Sequence, residues 1–310
     1  MISSPTSYDT LMMESLPPTF SGRVGQIITI LQLIVAATNY SNETNPVTRT
    51  QVSKFSQAGS EESSQTKKTS SSTWPSKLAM LVIYAPALIT SVVLLVLGST
   101  NDIYNEQLSS FSFPKPSIAA YLCTIHFAKR VAEVLFLHHY SGRTDRGTPS
   151  MISMFNTCTA ALVAYAGGMS APLAASGFGG KDVDATAREL LGVSAFVVGI
   201  LGNFYHHCLL AKLRSSSKQK KTDAKCIATK AYMAPKGGLF SYVAAPHYLF
   251  ELVGWAGIAI VSNHLNVYLA VAGMASFLAG RSLAHNDFNR NRFEEKDWPK
   301  DRKNLVPFIF

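Results

Sequence analysis

Charge is scarce in this chain of 310 residues: Asp, Glu, Lys and Arg together make up 15% of it, against 47% hydrophobic residues. A soluble domain carries roughly a quarter charged residues, so the composition argues against one or two ordinary soluble domains. The nucleotide-binding and nucleophile motifs of soluble enzymes are missing too. No Gly-x-Gly-x-x-Gly follows a strand, and there is no P-loop and no Gly-x-Ser-x-Gly. Gly177-Phe178-Gly179-Gly180 falls between apolar segments, where a loop is expected. Any nucleotide must therefore be held by a helical fold. Cys123, Cys158, Cys208 and Cys226 show no pairing pattern and are expected to be reduced. The adjacent pairs His138-His139 and His206-His207 diverge by about 100° on a helix, so no metal is expected. Residues 1–20 lack the basic-then-apolar order of a cleavable signal, and no internal repeat is found.

What the chain does have is long uncharged runs, near 24–38, 78–98, 114–137, 150–172, 189–211, 246–262 and 265–285. They imply an all-α, polytopic membrane protein with about seven transmembrane helices. The last two are separated only by Ser262-Asn263-His264-Leu265-Asn266 and should form a tight helical hairpin. With the N-terminus placed in the lumen, the four cytosolic segments carry twenty-two Lys and Arg, the outside segments four, and span three holds two. That bias fits the positive-inside rule with a cytosolic C-terminus, so the net charge of +9 reads as topology and not as a nucleic-acid surface.

Residues 1–22 read as a lumenal tail, 23–77 as a first helix followed by a low-complexity cytosolic loop, and 78–310 as the main membrane domain. The loop, 39–76, is too polar to bury a core and is expected to be disordered. It contains two formal sequons, Asn39-Tyr40-Ser41 and Asn42-Glu43-Thr44, which a cytosolic location would leave unmodified. Pro86 should kink the second span and expose carbonyl groups beside Tyr84.

Ionisable groups inside apolar spans are candidates for function because a bilayer tolerates them only when paired or lining a cavity. His126, Lys129, Arg130 and Glu133 share one helical stripe, either as a polar wall for anionic groups or as an ion-pair lock between helices. Asn203, His207 and Arg214 share a face, with His206 beside it. His247 and Glu251 open the sixth span, and Arg281 and His285 close the seventh. The basic tail from Trp298 onward could also face anionic headgroups.

Several stretches, in order and spacing, resemble the steroid 5α-reductase family, which includes very-long-chain trans-2-enoyl-CoA reductases and polyprenol reductases. They are His126-Phe127-Ala128-Lys129-Arg130 with Glu133, Leu201-Gly202-Asn203, Pro235 through Phe240, Pro246-His247-Tyr248 with Glu251 and Trp255, and Trp298-Pro299-Lys300 through the final Val306-Pro307-Phe308-Ile309-Phe310. The resemblance covers about 115–310 and is faint before 78. It implies a multi-pass enzyme of the endoplasmic reticulum that uses NADPH to reduce a carbon–carbon double bond conjugated to a carbonyl in a lipid. The cofactor half would be about 189–310. Asn203, His207, Arg214, Tyr232, His247, Glu251, Arg281 and His285 would form the cofactor site, and Tyr84, His126 and Glu133 the catalytic one. Partners would be the lipid substrate, membrane lipids and enzymes of fatty-acid elongation or a sterol pathway, with no nucleic acid.

The chain departs from the family pattern at several points. Tyr84, ahead of Ala85-Pro86, stands where steroid reductases have a glutamate before a proline. Phe127 replaces a tyrosine, Asn289 replaces another, and His207 replaces an acidic residue. Tyr84 is therefore the candidate proton donor. A polyprenol-type reductase and a catalytically silent lipid-binding or scaffold member are the rival readings.

Overall fold

A computed structural model describes residues 17, 19–50, 73–104, 113, 115–170, 181–223 and 233–310. Among them are seven α-helices: α1 Gly22–Thr44, α2 Ser76–Tyr104, α3 Ile118–Ala132, α4 Gly147–Ser170, α5 Lys181–Asp223, α6 Pro246–Ser262 and α7 Leu265–Arg290. A single π-turn, Glu133–Leu137, continues α3, and a 3-10 turn, Gly238–Ser241, precedes α6. Two three-residue strands, β1 Thr73–Pro75 and β2 Arg143–Asp145, pair antiparallel with Trp74 opposite Thr144. The sequence offered no period-2 signal for so short a pair.

Each apolar run falls on one helix, with differences at the ends. The run near 189–211 lies within a helix of 43 residues. The run near 114–137 is a 15-residue α-helix that loosens into the π-turn at Glu133. The α6–α7 hairpin is tighter than expected: Asn263 adopts the left-handed conformation at φ 45°, and α7 begins at Leu265. The expectation of a disordered loop from residue 39 needs correcting. The first helix runs on to Thr44, and residues 45–50 fold back against it, whereas 51–72 lie outside the described residues.

Among the described residues, four helices are long and apolar enough to cross a membrane: α1, residues 76–100 of α2, residues 185–215 of α5, and α7. The outer faces are apolar. Ile27, Ile30, Leu31 and Ile34 on α1, Ile89 and Val96 on α2, and Leu190 and Leu201 on α5 are all more than half exposed. The interior holds polar and charged groups such as Glu43, Glu133, Asn203, Asn266 and Arg281, each at most 3% exposed. Apolar outside with paired polar groups inside is the distribution a hydrocarbon solvent demands.

The pairings α5 with α6, α1 with α7, and α2 with α4 dominate the bundle. The α5–α6 crossing is a glycine seam. A Cβ on Gly199 would lie 2.2 Å from the Gly254 nitrogen, and one on Gly257 would lie 2.4 Å from the Gly192 oxygen. Backbones that approach this closely gain dispersion contacts, the main attraction available between helices in lipid. The α1–α7 seam adds polar glue. Asn266 Nδ2 donates to Thr29 Oγ1 at 2.8 Å and to Gln32 Oε1 at 2.9 Å, and Asn39 Nδ2 donates to the Gly273 carbonyl at 3.0 Å. The Asn39 sequon is thus inside a packed helix. An apolar centre of Leu122, Phe127, Val163, Phe196, Trp255 and Ile258 joins α3, α4, α5 and α6.

Pro86 sits inside α2. Asn156 on α4 donates to the neighbouring Ile83 carbonyl at 3.0 Å, so α4 helps satisfy the backbone around the proline. At the other end of the bundle the tail is locked to α7. Trp298 Nε1 donates to Asn286 Oδ1 at 2.8 Å, Asn286 Nδ2 donates to the Arg302 carbonyl at 2.8 Å, and the Arg302 guanidinium lies 3.8 Å above the Trp298 ring. Ala244 donates to the Lys303 carbonyl at 2.8 Å, which ties the tail to the entry of α6. The tail is thus a packed element rather than a free basic segment.

Candidate functional site

The stripe on α3 supplies the centre of the site because offsets of three and four residues stack side chains on one helical face. Glu133, 2% exposed, opens the π-turn, and its carboxylate is contacted by three groups. Lys129 Nζ lies 2.8 Å from Oε1, Arg130 Nη1 lies 2.7 Å from Oε2, and His207 Nδ1 from α5 lies 3.0 Å from Oε2. Arg130 then reaches α2, where its Nη2 donates to the Tyr84 hydroxyl oxygen and its guanidinium lies 4.5 Å from the Tyr84 ring. Lys129 also donates to Asn203 Oδ1, and Asn203 Nδ2 donates to the His247 carbonyl at 2.8 Å, linking α3, α5 and α6. The structure therefore brings Tyr84, Glu133, Asn203, His207 and the first turn of α6 into one network, with Arg130 as its hub.

His126 faces a different partner from the rest of its stripe. Its Nε2 lies 3.4 Å from Glu251 Oε1 on α6, and its ring packs 4.8 Å from Trp255. His126 and Glu251 border a narrow cleft whose walls also include Lys129, Asn203, Ile200 and Phe250. Phe127 lies in the apolar centre, 5.8 Å from Trp255. The Nδ1 of His247 and the Nε1 of Trp255 are buried with no hydrogen-bond partner among the described residues. Buried unpartnered ring nitrogens are where a polar ligand group would be satisfied.

A second cluster lies toward the end of α7. Arg281, 3% exposed, donates from Nη1 to Glu43 Oε2 at 3.1 Å and to the Thr50 carbonyl at 2.6 Å. It also hydrogen-bonds the Tyr248 hydroxyl on α6. The Tyr248 ring lies between His247, at 4.2 Å, and His285, at 5.6 Å, so the two clusters meet at the start of α6. Arg214 sits apart and exposed, its Nη1 donating to the His139 carbonyl at 3.2 Å. Tyr232 lies outside the described residues. His206 has a structural role: its Nδ1 contacts the Gly202 carbonyl at 2.7 Å, and Nε2 accepts from the Leu239 amide at 3.2 Å, which fixes the tautomer.

Just past the π-turn, burial pushes the His138 imidazole down to about 3, helped by His207 and Arg130 nearby, and burial raises the Tyr140 phenol. His138 stands 5.0 Å from the His207 ring. Together with Glu133 these two histidines place ligand-type atoms within 4.8 Å of one another. Arg130 Nη1 already sits 2.7 Å from Glu133 Oε2 and 3.1 Å from His207 Nδ1, so a divalent ion would have to displace a guanidinium.

Reasoning from sequence missed Glu43, Tyr248 and His138, and it did not single out Arg130 as the hub. Glu43 left one signal, an acid just past an apolar run in a chain whose Arg281 needs a buried partner. Tyr248 left only its place beside His247.

A family profile described as 3-oxo-5-alpha-steroid 4-dehydrogenase matches residues 150–310, just over half of the chain. The chain belongs to that family. Over 216 residues it is 26% identical to a very-long-chain enoyl-CoA reductase of Dictyostelium discoideum, covering 68% of this chain and 63% of the relative. A probable very-long-chain enoyl-CoA reductase of Caenorhabditis elegans is 28% identical over 203 residues, 63% of this chain and 59% of the relative. The 3-oxo-5-alpha-steroid 4-dehydrogenase 2 of Macaca fascicularis is 34% identical over 123 residues, 40% of this chain and 43% of the relative. The chain thus spans less than two thirds of the length of these curated relatives. Their names are those of oxidoreductases, and α5 through the tail, which carry Asn203, His207, His247, Glu251, Arg281 and His285, lie within the matched family region.

Proposed function

We propose that this protein is an NADPH-dependent ene-reductase of lipid metabolism, resident in the endoplasmic reticulum, that saturates a carbon–carbon double bond conjugated to a carbonyl. The observation that carries this reading is the Arg130–Tyr84 contact. A phenol whose oxygen accepts from a part-buried guanidinium has its own proton directed elsewhere and is a stronger donor. When hydride reaches the β-carbon of an enone or enoyl thioester, negative charge develops on the carbonyl oxygen. A donor already fixed for that oxygen lowers the barrier without reorganising in the transition state. Tyr84 takes this role, with Glu133 and His207 holding Arg130 in place. His126, oriented by Glu251, is the group for returning a proton to the α-carbon.

NADPH, when bound, supplies the hydride. The residues present fit an anionic dinucleotide: Arg281 brings a planar guanidinium held in place by Glu43, Lys129 a part-buried ammonium, and His247 an unmatched ring nitrogen. Asn203 and His207 would serve from behind, since Asn203 spends both ends of its amide, and His207 a ring nitrogen, on protein partners. A fatty enoyl thioester is the favoured substrate class, because similarity to enoyl-CoA reductases extends over 68% of the chain and similarity to the steroid dehydrogenase over 40%. The test is turnover by the purified protein of a panel of enoyl-CoAs, steroid enones and polyprenyl substrates with NADPH. A saturated product that disappears in Tyr84→Phe supports the reading. Undiminished turnover in Tyr84→Phe would overturn the role of the phenol.

A further inference from the structure

Glu43 stands where an acid has no ordinary reason to be. It is 1% exposed, at the end of the outermost-facing helix, and buried carboxylates are tolerated only when paired. Both of its oxygens are used: Oε2 accepts from Arg281 Nη1 at 3.1 Å, and Oε1 accepts from the Thr50 amide at 2.9 Å. The second bond requires the chain to turn back after Thr44. That turn is itself fastened, because Arg49 Nε donates to the Glu43 carbonyl at 3.0 Å and Nη2 to the Thr44 carbonyl at 3.3 Å. The resulting hook of residues 43–50 presents a carboxylate and the Thr50 carbonyl to the same nitrogen of Arg281. Close approach makes this possible, since a Cβ on Gly280 would lie 2.9 Å from Glu43 Cβ and 2.8 Å from the Tyr40 oxygen.

Arg281 also bonds the Tyr248 hydroxyl, and the Tyr248 ring separates His247 from His285. Position is thus passed from Glu43 to Arg281, then to Tyr248 and the two histidines. None of the motifs that suggested a cofactor site lies before residue 115, so α1 had no role beyond anchoring.

We propose that Glu43 is a positioning residue of the cofactor site: with the hook behind it, it holds the Arg281 guanidinium, and through it Tyr248, in the orientation from which this cluster receives an anionic ligand. The proposal rests on the reading of Arg281 as a cofactor residue. It assigns the segment just after α1 to the binding machinery and makes NADPH affinity depend on a residue that does not touch NADPH.

The test is the NADPH dissociation constant of the full-length protein in lipid nanodiscs, by equilibrium binding, for wild type, Glu43→Ala, Glu43→Asp, Arg281→Ala and the Glu43→Ala/Arg281→Ala double variant, with melting temperatures alongside. Loss of one well-placed hydrogen bond to a charged group lowers a binding constant by about tenfold or more. Glu43→Ala should therefore weaken NADPH by at least roughly tenfold, and Glu43→Asp should recover part of that loss. Because Glu43 acts through Arg281, the double variant should bind as weakly as Arg281→Ala and no more weakly. The KM for the lipid should hold. If Glu43→Ala does not fold, Glu43→Asp carries the test with a smaller loss. Wild-type or tighter affinity in Glu43→Ala, with Arg281→Ala impaired, overturns the positioning role and leaves the cofactor reading standing. Wild-type protein that does not bind NADPH overturns both.

Discussion

Replacing Glu133 with alanine would leave Lys129 and Arg130 without their shared counterion in a site where the carboxylate is 2% exposed. Its contacts to Arg130 and His207, at 2.7 and 3.0 Å, are charge-assisted bonds of the kind worth about 1.5–3 kcal/mol, and Lys129 at 2.8 Å adds an ion pair. The three cannot be summed, because they share one carboxylate and polarise one another. Truncating one partner of a buried ion pair costs about 3–5 kcal/mol, whereas an exposed pair is worth about 0–1 kcal/mol. We expect a loss of about 4 kcal/mol for Glu133→Ala and roughly half of that for Glu133→Gln, which keeps an acceptor but not the charge. The assay is denaturant-induced unfolding in mixed micelles, followed by fluorescence of the three tryptophans, two of which, Trp255 and Trp298, are 1% exposed. A loss below about 1 kcal/mol for Glu133→Ala would refute the reasoning, since the cluster would then behave like a solvated surface pair.

Four further outcomes follow from the same geometry. Tyr84→Phe should fold normally, keeping the ring beneath Arg130, and should lower kcat by about 10²–10³-fold with NADPH affinity unchanged, as measured by steady-state kinetics and equilibrium binding. Gly199→Leu should separate α5 from α6, because even a Cβ would lie 2.2 Å from the Gly254 nitrogen; the readout is a lowered melting temperature with loss of His126–Glu251 function. His138 is held near 3 in the fold against 6.5 unfolded, so below about pH 6.5 the unfolded chain binds more protons and stability falls with pH. His138→Phe should flatten that part of a melting-temperature profile between pH 7 and 5. Asn39 donates to the Gly273 carbonyl within the α1–α7 seam, and both sequons fall at the end of α1 expected on the cytosolic side, so treatment with an N-glycosidase should leave the mass of the cellular protein unchanged.

The helices were legible in the sequence because each is an uncharged run long enough to be recognised by composition alone, and each run lies on one helix. The Tyr84–Arg130–Glu133–His207 network was half legible. Helical periodicity put Lys129, Arg130 and Glu133 on one stripe, but periodicity within a helix says nothing about which helix faces it. Only the packing of α2 and α5 around α3 supplies Tyr84 and His207. His126 shows the limit most clearly: it shares the stripe and still pairs elsewhere, with Glu251, because the stripe is wide enough to face two neighbours. The hook was illegible. Residues 45–50 are polar and lack periodicity, the composition of a loop, and they are ordered by Arg281, some 230 residues away in sequence. A polar segment held by one buried ion pair looks the same in sequence as a polar segment held by nothing.

The most direct test of the central claim is isotopic. Membranes containing the protein would be supplied with NADPH deuterated at the transferable position and with the same panel of enoyl-CoAs, steroid enones and polyprenyl substrates, and the products analysed by mass spectrometry. The expected result is deuterium on the β-carbon of one reduced substrate class, lost in both Tyr84→Phe and Arg281→Ala. Absence of label across the panel, in protein that also fails to bind NADPH, would contradict the account.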